Sequence, residues 1–326
     1  MVGHSESTAD VAAMAPWLSR CELCPRRCGA DRLAGERGVC GADAGLRVAR
    51  AALHVWEEPL ISVGAGSGAV FFSNCPLHCI YCQNIGIAHG AHGTDITVER
   101  LAEIFAELEA QGAANINLVT PTQYWPHIAA ARRLFEQRGP RSRIPFVCNT
   151  SGYESDRVIR DFSDCVEVYL TDFKYDSPAL SDAAERYSHA ADYFEVATAA
   201  LDAMADCAGE PATESFAGGE RLVRGVIVRH LLLPGRLEDS KRVVEHLWSR
   251  YGDAVLYSAM GQYTPVRPLP RAPELDGRVD AREYERLLDF MDSLGMEDYF
   301  WQQGGADQAS FIPTFDSTGV LPANEK

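Results

Sequence analysis

Short runs of consecutive apolar residues alternate along this chain with stretches in which apolar residues recur every three or four positions. The first pattern is typical of buried strands and the second of amphipathic helices. Thr97 opens one of the helical stretches, at 96–112, and is its predicted N-cap. Because each predicted strand is followed by helical sequence, the pattern predicts an α/β fold with a parallel sheet, either open or closed into a barrel. The predicted strands are 69–72, 116–119, 144–148, 166–170, 222–228 and 254–258.

The alternation occupies the middle of the chain, which predicts one large domain with appendages. With 326 residues, the chain is near the upper size for a single hydrophobic core. Residues 209–220, which contain Gly, Ser and Glu, are predicted to form a surface loop. The predicted parts are a disordered N-terminus at 1–16, a cysteine-rich metal-binding module at 17–60, the core at 61–296 and a C-terminal extension at 297–326 that closes the mouth of the core.

The chain is strongly acidic, with 46 Asp and Glu against 30 Lys and Arg and a formal net charge of −16. Nucleic acids and anionic membranes are bound by clustered Lys and Arg, so neither is expected as a partner. The sequence shows no basic-then-apolar leader and no apolar stretch as long as a bilayer is thick, which predicts a cytoplasmic protein. In that reducing compartment, the isolated Cys148, Cys165 and Cys207 are interpreted as core residues and not as disulfides.

Three cysteines stand in the spacing C-x3-C-x2-C directly after the first predicted strand. Cys75, Cys79 and Cys82 can bind one inorganic centre, either a zinc ion or an iron–sulfur cluster. Zinc prefers four ligands, and the only other local ligand, His78, has a side chain that diverges from that of its neighbour Cys79. A four-iron cluster can take three thiolates and leave one iron open for chemistry. The spacing therefore favours the cluster, with a structural zinc knuckle as the alternative.

A second set of four cysteines lies near the N-terminus: Cys21, Cys24, Cys28 and Cys40. Their spacing fits either a zinc site or another iron–sulfur cluster. The surrounding segment has few apolar residues, so metal binding is expected to fold it. Its role is predicted to be either structural or electron transfer.

Polar side chains follow each of the predicted strands. In parallel α/β folds, the carboxyl ends of the strands meet at one edge, where ligands and reactive groups collect. Such a set of hydroxyl, amide and ionic groups suits a polar ligand. The predicted set is Thr120, Thr122, Asn149, Thr150, Asp172, Lys174, Arg229, His230, Gln262 and Tyr263.

The cysteine motif, with the aromatic Tyr81 directly before its third cysteine, resembles the signature of radical S-adenosylmethionine (SAM) enzymes. The resemblance implies a partial (β/α)6 barrel in which Cys75, Cys79 and Cys82 hold a [4Fe-4S] cluster. In that superfamily, SAM chelates the fourth iron, and one electron cleaves the sulfonium to a 5′-deoxyadenosyl radical.

A closer resemblance is to the pyruvate formate-lyase activating enzymes, and within them to an uncharacterised activase-like group. It is carried by Asp172-Phe173-Lys174, by Arg229 and by the cysteine segments. Residues 120–123 replace the Gly-Gly-Glu stretch of many radical SAM enzymes, and Asn149 stands where an acid is expected beside a monovalent cation. The implied SAM-binding residues are Tyr81, Asn84, Thr120, Thr122, Asn149, Thr150, Asp172, Lys174 and Arg229.

The function implied by this resemblance is reductive cleavage of SAM followed by hydrogen abstraction. The hydrogen would come from the glycine of a partner protein or, alternatively, from a peptide or a small molecule. A flavodoxin or ferredoxin is the expected electron donor, with the N-terminal cysteines as a route for the electron. The competing hypothesis is a zinc-stabilised interaction protein without catalysis.

Overall fold

Six strands of the central sheet lie side by side and parallel, in the order in which they occur along the chain. The computed structural model describes residues 14–138, 144–302 and 313–322. Its strands are Leu46–His54 (β1), Ser67–Phe72 (β2), Thr94–Ile96 (β3), Ile116–Val119 (β4), Phe146–Thr150 (β5), Val168–Asp172 (β6), Ala212–Phe216 (β7), Gly219–Leu231 (β8), Leu256–Met260 (β9) and Tyr299–Trp301 (β10). The six parallel neighbours are β2, β4, β5, β6, β8 and β9, and β10 adds a parallel strand beyond β9. On the other side, β1 is antiparallel to β2, and β3 is antiparallel to β1.

Helices follow the strands, and all but the first of them pack on one face of the sheet. They are Ile85–Ala88 (α1), Val98–Ala110 (α2), Trp125–Gln137 (α3), Asp156–Asp161 (α4), Ala183–Ser188 (α5), Tyr193–Ala208 (α6), Leu237–Tyr251 (α7) and Ala281–Ser293 (α8). Strand residues such as Val70 and Leu118 pack with the helices in the main core. The other face, called the interior face here, carries Phe71, Val147 and Ile227 in two smaller clusters. Among the described residues, no helix has both the length and the apolar character needed to cross a membrane.

The predicted alternation of strand and helix in a mostly parallel sheet is confirmed. Thr97 is the N-cap of α2, where its hydroxyl accepts the backbone N–H of Arg100. The strands β5, β6, β8 and β9 end two or three residues later than predicted. In β5, β6 and β8 the reason is that polar residues such as Asn149 and Asp172 continue the strand and point away from the helices, so a polar position does not mark a strand end.

The prediction of a surface loop at 209–220 is wrong, because this segment contains β7 and the start of β8, paired as an antiparallel hairpin. Ala217 and Gly218 have φ values of 49° and 84°. Two consecutive positive φ values are typical of a tight hairpin turn that matches the strand twist. Glu214 and Ser215 are exposed, so no apolar alternation marks β7 in the sequence.

Segments that were assigned outside the core also join the sheet. β1 lies within residues 17–60 but pairs with β2 from Val48 to His54. Of the N-terminal segment 1–16, residues 1–13 lie outside the described residues, and 14–18 are helical with Leu18 buried. Cys148 and Cys165 are buried as predicted, whereas the prediction for Cys207 is wrong, because α6 turns this residue to solvent.

The C-terminal segment 313–322 runs along β1. The backbone N–H of Ala51 donates to the carbonyl of Thr318 at 2.8 Å, and that of Ser317 donates to the carbonyl of Ala49 at 3.1 Å. Phe315 packs on Phe71 of the interior face, with ring centroids 5.5 Å apart. The remaining parts of the extension after β10, 303–312 and 323–326, lie outside the described residues.

Candidate active site

The loop 74–82, called the cluster loop here, follows β2 and carries the three cysteines. Asn74 and His78 have φ values of 72° and 58°, in the left-handed region that Asn and His enter more readily than most residues. The Asn74 amide donates to the hydroxyl of Tyr124 at 3.0 Å, and its backbone N–H donates to the carbonyl of Ile87 at 2.7 Å. A Cβ at Gly90 would collide with the Asn74 side chain, so this close approach depends on glycine. These contacts fix the loop at the carboxyl end of β2.

The three thiols of the cluster loop line one cavity at the carboxyl ends of the parallel strands. The cavity measures about 1080 Å³ including its open mouth, and all three cysteines are free. Burial raises the pKa of Cys75 to about 11. Burial, reinforced by Cys79 and Cys75, raises the pKa of Cys82 to about 12. Because metals bind thiolates, loading a metal here must displace protons.

Eight of the nine SAM-binding residues expected from the sequence line this cavity. They are Tyr81, Asn84, Thr120, Asn149, Thr150, Asp172, Lys174 and Arg229. Gln262 and Tyr263, which follow β9, also line it. Two residues of the strand-end set point elsewhere. Thr122 is buried behind the wall, and the Nδ1 of His230 lies 2.7 Å from the carbonyl of Phe173.

A buried ion network is built around Arg229 at the inner end of the cavity. Its Nε donates to Asp172 Oδ1 at 2.9 Å, its Nη2 to Asn149 Oδ1 at 2.7 Å and its Nη1 to Glu57 Oε2 at 3.2 Å. Lys174 forms an ion pair with the second oxygen of Asp172. Burial opposes the charge on Asp172, but Arg229 and Lys174 outweigh it and lower the pKa of that carboxyl. The network therefore keeps Asp172 ionised.

Two acids enter this network from the connection between β1 and β2. Glu57 Oε1 accepts the amides of Asn117 and Asn149, both at 3.2 Å, and Glu58 Oε2 lies 3.9 Å from Arg229 Nη1. Burial raises the pKa of both carboxyls, against the attraction of Arg229. Neither acid was predicted as a site residue, because both precede the first predicted strand. The one available signal is a pair of adjacent acids in a largely apolar segment.

Glu154 lies behind the cavity wall and holds two of the threonines. The hydroxyl of Thr122 donates to its Oε1 at 2.7 Å, and the hydroxyl of Thr150 donates to the same oxygen. Burial raises the pKa of Glu154 to about 7, although both hydroxyl bonds oppose the rise. Because the Thr150 proton is engaged, its lone pairs remain for the cavity, where they can accept a hydrogen bond from a cationic ligand. Glu154 follows the end of β5 by four residues, whereas the predicted site residues stand directly at strand ends.

The four N-terminal cysteines lie near one another. Cys24 and Cys40 interact electrostatically with each other and with Cys21, and Cys40 also interacts with Cys28. Burial is the main cause that raises the pKa of Cys24 and Cys40. Cys28 is exposed, and a Cβ at Gly38 would collide with its sulfur.

Arginines join this array to the cluster loop and to the sheet. Arg26 Nε donates to the carbonyl of Pro76 at 3.2 Å, and the Arg26 guanidinium lies over the Tyr153 ring, 4.9 Å from its centroid. The buried Arg32 donates to the carbonyl of Gln123 at 2.7 Å. The two cysteine sets are therefore structural neighbours.

Neither set has the compact arrangement of a mononuclear metal site. Within 14–138, 144–302 and 313–322, no group of three or more His, Cys, Asp or Glu side chains surrounds the position of a single metal ion. A four-iron cluster is larger than one ion and holds its thiolates further apart.

Comparison with known proteins bears on the same part of the chain. Residues 69–210 match the sequence model of the Radical SAM superfamily, a span that begins just before the cluster loop and includes Lys174. The uncharacterized protein MJ0674 of Methanocaldococcus jannaschii is 24% identical over 291 residues, covering 86% of this chain and 76% of the relative.

A crystal structure of Streptococcus suis SuiB bound to precursor peptide SuiA is similar with a TM-score of 0.45 and 10% identity, covering 72% of this chain. This chain spans 48% of that protein's chain.

Proposed function

Starting from the radical SAM domain at residues 69–210, we propose that this chain is an enzyme that cleaves SAM reductively and abstracts a hydrogen atom from its substrate. The observation that carries the proposal is that Cys75, Cys79 and Cys82 line the same cavity as the polar strand ends. When bound, a [4Fe-4S] cluster with SAM at its open iron supplies one-electron cleavage of the sulfonium to a 5′-deoxyadenosyl radical. The six parallel strands support a partial (β/α)6 barrel, as does the open sheet of the described residues, in which β10 and β3 are the end strands.

The chemistry of the cavity fits both groups. The three thiols are the ligands of the cluster, and Tyr81 offers an aromatic face at the same wall. The carboxyl groups of Glu57, Glu58 and Asp172 stand against the cations of Arg229 and Lys174, so the network has a formal charge of −1 when all three carboxyls are ionised. SAM at neutral pH carries the opposite formal charge, with two cations and one carboxylate.

Individual residues of the wall have separate tasks toward SAM. The hydroxyl oxygen of Thr150, whose proton is directed to Glu154, accepts a hydrogen bond from the ammonium group of SAM. Lys174 lines the same cavity as the thiols, and the charges of Asp172 and then Cys79 raise its pKa against the effect of burial. Its task is to bind the carboxylate of SAM. Asn84, Thr120 and Asn149 complete the polar lining.

The substrate is proposed to be a glycine residue of a partner protein, activated to a glycyl radical. The support is the Asp172–Lys174 ion pair, formed within the Asp-x-Lys segment that resembles the activating enzymes. A peptide or a small molecule is the alternative, which the second experiment below separates from a protein partner.

The N-terminal array is proposed to hold a second metal centre, either an iron–sulfur cluster or a zinc ion around which the thiols would draw closer together. A flavodoxin or ferredoxin is the proposed electron donor. Cys28 is exposed, so an iron–sulfur centre there would be within reach of a docked donor. Residues 20–37 carry five arginines against three acids, a local excess of positive charge in a chain of net charge −16. Such an excess attracts an acidic electron carrier.

The first experiment tests the reaction. Protein reconstituted anaerobically with iron and sulfide is reduced by dithionite in the presence of SAM, and 5′-deoxyadenosine is measured by mass spectrometry. The wild type and Cys165→Ala, which removes a buried isolated cysteine, should form the product, and Cys79→Ala should not. A wild type that holds no four-iron cluster, or whose cluster leaves SAM intact, would refute the proposal.

The second experiment identifies the class of substrate. The reconstituted enzyme is mixed with an extract of its host grown on deuterated glycine, after dialysis has separated macromolecules from small molecules. Deuterium in 5′-deoxyadenosine that appears only with the macromolecular fraction supports a protein glycine. Transfer only from the small-molecule fraction would contradict it.

The third measurement addresses the zinc alternative. Iron, zinc and acid-labile sulfide are quantified in protein purified without air. Zinc at both cysteine sets and no labile sulfide would favour the non-catalytic interaction protein.

A further inference from the structure

The cluster ligand Cys79 receives a hydrogen bond from outside its own loop. The hydroxyl of Ser188, the last residue of α5, donates to Cys79 Sγ at 3.1 Å, and both residues are buried. The hydroxyl of Tyr175 lies 2.5 Å from that of Ser188 and 2.9 Å from that of Tyr81, which lines the cavity. Three hydroxyl groups thus form a chain that ends on a ligand sulfur.

The direction of this chain follows from the charge of the sulfur. A metal-bound Cys79 is a thiolate and can only accept, so Ser188 must donate to it. The oxygen of Ser188 then accepts from Tyr175, whose single hydroxyl proton turns from Tyr81 to Ser188. Hydrogen bonds that run in one direction polarise one another, so Tyr175 strengthens the donor at Ser188.

The position of Ser188 is fixed from two sides. Arg26 Nη2 donates to the carbonyl of Ser188 at 3.0 Å and Nη1 to that of His189 at 2.5 Å, while Nε of the same guanidinium holds Pro76 of the cluster loop. The backbone N–H of Ile80 donates to the carbonyl of Tyr187 at 2.8 Å. The end of α5 and the cluster loop are therefore held together by hydrogen bonds.

We propose that Ser188 is a positioning residue that raises the reduction potential of the cluster held by Cys75, Cys79 and Cys82. The inference rests on the proposed function, because it requires a [4Fe-4S] cluster at this triad. One-electron reduction adds negative charge that the cluster shares with its sulfur ligands, so a hydrogen-bond donor stabilises the reduced form more than the oxidised form. Tyr175 acts through Ser188 in the same direction.

The test is a redox titration of reconstituted protein without SAM, monitored by electron paramagnetic resonance of the reduced cluster with dithionite and mediators. Ser188→Ala should lower the reduced-to-oxidised ratio at a given potential roughly tenfold, a shift of about 59 mV for one electron. Tyr175→Phe should lower the midpoint potential as well, but by a smaller amount. Ser67→Ala is the matched control and should match the wild type, because the buried Ser67 hydroxyl donates to Asn115 Oδ1 at 2.6 Å, far along β2 from the thiols.

Equal midpoints for Ser188→Ala and Ser67→Ala at equal iron content would overturn the inference while leaving the proposed function intact. Should Ser188→Ala fail to hold iron, Tyr175→Phe decides, and an unshifted midpoint there overturns it. A wild type that takes up no four-iron cluster ends both the inference and the proposed function.

Discussion

Replacing Arg229 by Met tests whether the stability of the protein depends on the one guanidinium that neutralises the buried acids inside the sheet. The side chains of Asp172, Glu57 and Glu58 are 16%, 11% and 7% exposed, and Arg229 itself is 14% exposed. Arg229→Met leaves these three carboxylates with Lys174 as the nearby cation. Removing one partner of a buried ion pair costs about 3–5 kcal/mol, so we expect the free energy of unfolding to fall by about 4 kcal/mol.

The effect should depend on pH with a defined sign. Burial already raises the pKa of Glu57 and Glu58, and Arg229 opposes that rise. Without Arg229 their pKa values rise further. A carboxyl whose pKa is raised by folding stabilises the protein below its unfolded pKa and loses that contribution as pH increases. Arg229→Met should therefore be more damaging at about pH 8 than at about pH 5.5.

Urea unfolding of metal-free protein under reducing conditions, followed by circular dichroism, measures the change. Arg160→Met is the matched control, because its ion pair with Asp206 is exposed to solvent and should contribute little to stability. Adding Glu57→Gln to Arg229→Met removes one unpaired carboxylate, so the double variant should be more stable than the sum of the single effects. If Arg229→Met matched Arg160→Met at both pH values, the reasoning about the network would be refuted.

Three further predictions concern other parts of the site. Gly38→Ala should displace the Cys28 sulfur and remove the metal of the N-terminal site. Gly277→Ala, at a position with open space around it, should bind as much metal as the wild type. Equal metal content in the two variants would contradict this. Burial raises the pKa of Glu154 to about 7, so the wild type should lose about 2 kcal/mol of stability between about pH 5.5 and pH 8 as this carboxyl ionises. Glu154→Gln should abolish that loss. A wild-type plot of stability against pH as flat as that of the variant would count against the prediction. Burial lowers the pKa of His127 to about 4, so the wild type loses stability as the pH falls below 6.5. The stability of His127→Gln relative to the wild type should therefore rise by about 2 kcal/mol between about pH 7 and pH 5. A stability difference in urea unfolding that does not change with pH would disprove this.

The repeating part of the fold could be predicted from local sequence because each strand and helix there buries an apolar run or stripe. β7 could not, since its exposed Thr213, Glu214 and Ser215 carry no apolar period. β1 was missed for a related reason, because it lies among residues that the cysteine spacing assigned to a metal module. Both strands are recognisable only through their partners, β8 and β2, which periodicity within a segment cannot reveal.

The candidate site divides in the same way. Residues directly at strand ends, such as Thr150 and Lys174, could be predicted because parallel strands bring their carboxyl ends to one edge. Glu57, Glu154 and Ser188 lie on connections or a helix end, and they reach the site only through folding of distant segments. Thr122 has the expected position in the chain, yet its hydroxyl is bound by Glu154 and does not line the cavity.

The contacts of Arg26 impose an order on biosynthesis. Its partners in the cluster loop and at the end of α5 lie 50 and 162 residues further along the chain, so the ribosome releases them long after the arginine itself. Iron delivered before residue 188 has emerged would meet a triad that lacks its serine donor.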